Sequence, residues 1–170
     1  MARRARIGAT FKENTTVNLA RLNKECQANL LGVLKKSAYE LRDLARRNAP
    51  VDTGATEDAI VVEEPRRNGI NGAYTFNVGV NRELHERLAS ERKINWKPHP
   101  YFDAWLHESD YELGEKSKEK NRRVRREDRR ARVGNKFLER ASNSLKPKIS
   151  REANRVAKRA IERRKAGGTK

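Results

Sequence analysis

The chain of 170 residues has one cysteine, one methionine, five prolines, and among its aromatics only two Trp, four Tyr and four Phe. A lone Cys26 excludes an internal disulfide framework and any metal site built from several thiolates. No apolar run approaches the roughly 18 residues that a membrane span requires. The N-terminal MARRARIGAT is basic with no apolar stretch behind it, so no secretory leader is expected. Apolar side chains are scarce too, at 35% against 37% charged. Even with glycine added, the apolar share stays below the usual value of about 45–50%. A compact chain of this length buries roughly 68–70% of its unfolded surface, so a real core is expected, with part of the sequence outside it. No glycine-rich phosphate loop, nucleophile elbow or kinase signature occurs. The expectation is a soluble, intracellular protein with one core domain over residues 13–150.

Positive charge is what the sequence has in excess. Forty Lys and Arg against 23 Asp and Glu leave a net +17. Residues 1–12 carry four basic and no acidic side chains, residues 115–132 ten and four, and residues 151–170 eight and two. The rest of the chain is close to neutral. The basicity is therefore appended to an ordinary scaffold as an N-terminal arm, an internal segment and a C-terminal helix end with its tail. Such runs are either solvated faces and tails or contacts with a polyanion or a large assembly. The internal run packs Arg122, Arg123, Arg125, Arg126, Arg129, Arg130 and Arg132 into a short stretch without aromatics. Base stacking is not expected there. Any contact with DNA or RNA would be with the backbone and without sequence preference.

The scaffold reads from apolar spacing. Leu19, Leu22, Cys26, Leu30, Val33/Leu34, Ala38, Leu41 and Ala45 recur at steps of three and four, which predicts one amphipathic helix over 15–48. Asn14 or Thr15 can cap it, and Pro50 stops it. Cys26 falls on its apolar stripe as a small buried hydrophobe. Val51-Asp52-Thr53-Gly54 is a turn, with a single turn of helix to follow. Ile60-Val61-Val62 and the alternating 73–80 read as two strands of a hairpin packed on the helix, joined through Arg66 to Gly72. Residues 81–97 show a weak helical pattern through Leu84 and Leu88. Tyr101 to Glu108 reads as a short aromatic helix, closed by Leu113-Gly114. The segment 115–132 has Val124 as its only aliphatic residue beyond alanine, so no core face is expected and it reads as a long basic loop or a solvated helix. A second long helix is expected from Val133 through Phe137, Ala141, Leu145, Ile149, Ala153 and Ala160/Ile161, kinked or split near Lys146 by Pro147. The fold class is α+β: two long helices packed with a small antiparallel sheet, plus basic arms.

Candidate chemistry is thin. His99 and His107 stand eight apart with a proline between them, whereas zinc ligands on one element favour tighter pairs. Asp103 and Glu108 read as surface charge rather than an acid–base pair. No enzyme activity, metal or cofactor is expected.

The order of features carries a resemblance. A long helix runs into Ala49-Pro50-Val51-Asp52-Thr53-Gly54, a hairpin ends at Val78-Gly79, and an aromatic helix reaches Trp105, Glu108 and Leu113-Gly114. Val133-Gly134, Phe137-Leu138 and Arg140-Ala141 follow. Over residues 38–142 this resembles the neck and tail-completion proteins of tailed bacteriophages, whose ring-forming members sit at the head–tail junction. Thr56 stands where that family commonly has leucine, and Ala59 where serine is common. The segment 115–132 is longer and more basic than the family pattern. The resemblance implies a structural virion protein without turnover, with Gly54, Gly79, Gly114 and Gly134 marking turns. It implies a homo-oligomeric ring, a hexamer favoured, with a portal, adaptor or head-closure protein on one side and a tail terminator or tail tube protein on the other. Membrane contact is not implied. A non-specific nucleic-acid-binding protein using basic arms is the alternative. Within the ring reading, the arginines of 115–132 either dock on a neighbouring protein or meet double-stranded DNA in the channel, and docking is favoured. Residues 1–12 and 151–170 are expected to become ordered on assembly.

Overall fold

A computed structural model describes residues 9–10, 24–51, 54–63, 65–67, 74–92, 110, 112–129 and 131–167. Its elements in chain order are β1 (Ala9–Thr10), α1 (Lys24–Asn48), α2 (Ala55–Ala59), β2 (Ile60–Val62), β3 (Arg66–Arg67), β4 (Tyr74–Thr75), β5 (Asn77–Val80) and α3 (Arg82–Glu91). Two further helices, α4 (Glu115–Glu127) and α5 (Phe137–Gly167), follow among the described residues. This is the expected α+β class, with α1 and α5 as the two long helices. The expected start of α1 at residues 15–23, its caps at Asn14 or Thr15, and the aromatic helix at 101–108 lie outside the described residues.

α1 and α5 run antiparallel. Gly134, just before α5, meets Asn48 at the end of α1, while Lys148 pairs with Glu40 eight residues back along α1. Between them sit Ala38, Leu41, Ala45 and Ala49 from α1 against Phe137, Leu138, Ala141, Leu145 and Ile149 from α5. Alanines at 38, 45 and 141 let the helices approach closely, and the large Leu41 and Phe137 are wholly buried. Burying each of these two side chains contributes roughly 1.5–3 kcal/mol. Cys26 and Leu30 continue the buried stripe of α1 toward its N-terminal end.

The sheet lies against this pair through Ile60 and Val78, with Val62, Phe76 and Val80 at its margin. Strand order is β1-β5-β2, antiparallel throughout. Ile60 stands opposite Val80 and Val62 opposite Val78, so the expected hairpin is present. β3 and β4 pair as a two-stranded extension of it. Gly79 is a correction: it lies inside β5 opposite Val61, in a strand rather than a turn. From the N-terminal arm, Ala9 and Thr10 add to the other side of β5, opposite Val78 and Asn77.

Three further expectations are revised. α5 begins at Phe137 and not at Val133, because Gly134 (φ 134°) and Lys136 (φ 51°) hold positive φ angles that no helix tolerates. The Arg140 guanidinium secures that turn by donating to the carbonyls of Arg132 and Gly134, each at 3.1 Å. Pro147 does not split α5, which continues as one helix of 31 residues, about 46 Å long at 1.5 Å per residue. Pro147 and Asn143, whose carbonyl loses its i+4 donor, are both exposed, so water can take the freed group. Finally, 115–127 is helix, not loop, and it has a buried face: Ser117, Lys120 and Val124.

Candidate assembly surface

The end of α1 poses a local problem. Pro50 stops the helix, and Ala49 and Pro50 are buried, so the last carbonyls of α1 lack both helical donors and free access to water. Unfilled, each would cost on the order of 1–3 kcal/mol. Ala49 N–H closes one final turn onto the Ala45 carbonyl at 2.8 Å. The remaining partners come from far along the chain. Gly134 N–H donates to the Asn48 carbonyl at 3.0 Å. The Lys120 ammonium donates to the carbonyls of Arg46 (2.7 Å) and Ala49 (2.9 Å), and to the Glu57 carboxylate (3.0 Å). An ammonium has three donors, and all three are used. The side chain of Lys120 is only 5% exposed. Burial pushes its pKa below the usual lysine range, opposed by the hydrogen bond and the charge of Glu57. A cation at a helix C-terminus also meets the negative end of the helix dipole.

α4 is held there by further polar contacts. Ser117 Oγ accepts from Val51 N–H at 2.8 Å, and Asn121 Oδ1 accepts from Val133 N–H at 3.0 Å as the chain returns. Arg47 reaches the far end of α4 through the Glu127 carboxylate at 3.1 Å. Val124 is the one aliphatic side chain on this face. Nearby, Arg46 donates to the Ile60 carbonyl from Nε (3.0 Å) and Nη2 (2.9 Å), occupying part of the outer edge of β2.

Several of the described family-motif residues lie around this junction, while Gly79 stands apart in β5. Ala49, Phe137 and Leu138 share one core cluster. Gly54 holds φ 78° at the start of α2, a left-handed position that glycine alone adopts freely. Gly114 precedes α4 as its N-cap. Asp52, Thr53, Trp105 and Glu108 lie outside the described residues, as do His99, His107 and Asp103. Among the described residues no group of three His, Cys, Asp or Glu gathers as a metal site, and no helix is long and apolar enough to cross a membrane. Thr56, at its departure from the family pattern, faces the buried His85 of α3, with Oγ1 and Nε2 3.3 Å apart.

The arginines of 115–132 turn outward. Arg122, Arg123, Arg125, Arg126, Arg129 and Arg132 are exposed, while Arg130 lies outside the described residues. Sequence reasoning missed Ser117, Lys120 and Asn121 as the inner face of α4. The signal was present as helical spacing, 117, 120/121 and 124, but three of its four residues are polar and a hydrophobic pattern passes over them.

Comparison with known proteins supplies the class. Residues 15–101 match the model of a bacteriophage tail-component family. The match spans just over half of the chain, which belongs to this family, the HK97-gp10-like proteins. No curated protein and no solved structure matches the chain.

Two outcomes follow from this geometry. Lys120→Met leaves two carbonyls and Glu57 without their cation, so it should lower the unfolding free energy by about 2–4 kcal/mol in denaturant titrations. A loss below about 1 kcal/mol would show that water replaces the ammonium freely. His85 titrates below its ordinary 6.5 because burial disfavours the imidazolium, partly offset by Glu86. Between its folded and unfolded pKa values the unfolded chain binds more protons. The stability it contributes is therefore complete above pH 6.5 and is lost as pH falls through the folded value. Unfolding titrations from about pH 7 down to about pH 5 should show a shallower fall for His85→Gln than for the wild type; equal slopes would contradict this.

Proposed function

We propose that the protein is a structural subunit of the phage head–tail junction, assembled as a ring around the DNA channel, with six copies favoured. The observation that carries this reading is membership of a phage tail-component family. The order of neck-protein motifs, from APVDTG to the Phe137-Leu138 start of α5, supports the finer placement. A closed ring needs two different patches per subunit that fit each other. Partly exposed large apolar side chains on separate elements are candidates: Tyr39 on α1, Tyr74 on β4 and Ile161 on α5. One face of the ring would meet a portal, adaptor or head-closure protein, and the other a tail terminator or tail tube protein. The role is mechanical and calls for no cofactor or turnover.

Deleting the gene should leave DNA-filled heads and free tails that do not join, seen by electron microscopy of lysates. Particles restored by the protein in trans should carry it as a ring at the neck. Normal joined particles from the deletion would overturn the placement.

A further inference from the structure

The outward stripe of α4 is polarised along the helix. Glu115, Glu119, Arg122 and Arg126 follow at steps of four, three and four, so they share the side opposite Lys120 and Val124. All four are exposed. Arg122 and Arg126 are like charges one turn apart, a pairing that destabilises a helix by about 0.2–0.5 kcal/mol unless an anion lies between them. Arg125 and Arg126 favour the last turn through the dipole, but Arg122 and Arg123 lie further in.

Among the described residues, none of Arg122, Arg123, Arg125, Arg126 and Arg129 makes an ion pair. Eight acidic residues, in contrast, are already engaged by the chain's own cations, including Glu40 with Lys148, Glu57 with Lys120, Asp58 with Arg92, and Glu86 with Arg82. A second copy carries the same net charge of +17, so on balance it repels this stripe. A phosphodiester backbone is negative throughout, and Glu115 and Glu119 on the same stripe would face it. A protein surface can complement both ends of a polarised helix.

We propose that α4 docks through this stripe on an acidic surface of a different protein of the particle, with the Arg122 and Arg126 guanidinium forks taking carboxylates there. Lys120 on Arg46, Ser117 on Val51 and the Arg47–Glu127 pair fix the helix at the end of α1, so the guanidinium groups are presented from a held helix rather than a loose arm. Such preorganisation lowers the ordering cost of binding, and planar forks suit carboxylates. The inference rests on membership of the tail-component family and not on the ring or its place at the neck.

The test uses particles carrying Arg122→Lys or Arg126→Lys, treated with a water-soluble carbodiimide. This reagent joins amines to carboxylates in contact and leaves phosphodiesters untouched. Mass spectrometry should find the substituted position cross-linked to an Asp or Glu of another virion protein. Cross-links only to other copies of this chain would overturn the proposal. So would no cross-link together with formaldehyde capture of DNA at α4. A companion variant, Arg122→Gln/Arg125→Gln/Arg126→Gln/Arg129→Gln, keeps residues of similar helix propensity. Its thermal unfolding should match the wild type, while the amount incorporated per particle falls roughly tenfold or more at about 0.15 M salt. Unchanged incorporation would overturn the proposal. A cross-linked partner located away from the neck would leave docking intact and refute the junction placement instead.

Discussion

The fold depends on how one buried helix end is satisfied. α1 stops at Pro50 inside the structure, and its terminal carbonyls must be filled from elsewhere. The Lys120 ammonium and the Gly134 amide fill three of them. Both donors come from the C-terminal part of the chain, so closing α1 fixes where α4 lies and where α5 begins. The same contacts set Glu57 and the short α2 beside Lys120, which in turn places β2 and the hairpin on the helices. A chain with so little apolar material relies on these few polar contacts to position its elements, because Val124 alone gives α4 little burial to hold it.

This arrangement has a consequence for the family segment. The matched region, 15–101, contains α1, the hairpin and α3. Its long helix nevertheless borrows the caps of its last turn from residues 120 and 134, and most of its buried face is covered by α5. The region that defines the family is therefore completed physically by the sequence after it. In that sequence α4 has two unlike faces: one closes the scaffold, and the other carries exposed arginines that form no ion pair among the described residues.

Much of this was legible in the residues. The apolar stripe of α1, the stop at Pro50, the turn at Gly54 and the β2–β5 pairing follow from periods of 3.6 and 2 and from the conformational limits of proline and glycine. The start of α5 was misplaced because Val133 fits its apolar spacing, yet Gly134 and Lys136 take backbone angles that spacing does not encode. Pro147 looked like a break because its sequence position does not reveal that its side of the helix is solvated. α4 was the largest miss. Its core-facing residues are Ser117, Lys120 and Asn121, and what draws them inward is a set of unfilled backbone groups: the carbonyls of Arg46 and Ala49 for Lys120 and the amides of Val51 and Val133 for Ser117 and Asn121. Only the tertiary structure brings those groups together. The outward arginines were legible as a basic run, although the lack of an ion pair to Arg122, Arg123, Arg125, Arg126 or Arg129 among the described residues was not.

The central claim, that Lys120 couples α4 to the end of α1, is open to a direct measurement. Amide hydrogen exchange of the wild type and of Lys120→Met can be compared residue by residue under native conditions. Faster exchange is expected in two places at once, along α4 and at Ala45–Ala49 of α1, with the amides of Ala141–Ile149 in α5 little changed. Faster exchange confined to α4, with the end of α1 as protected as before, would contradict it.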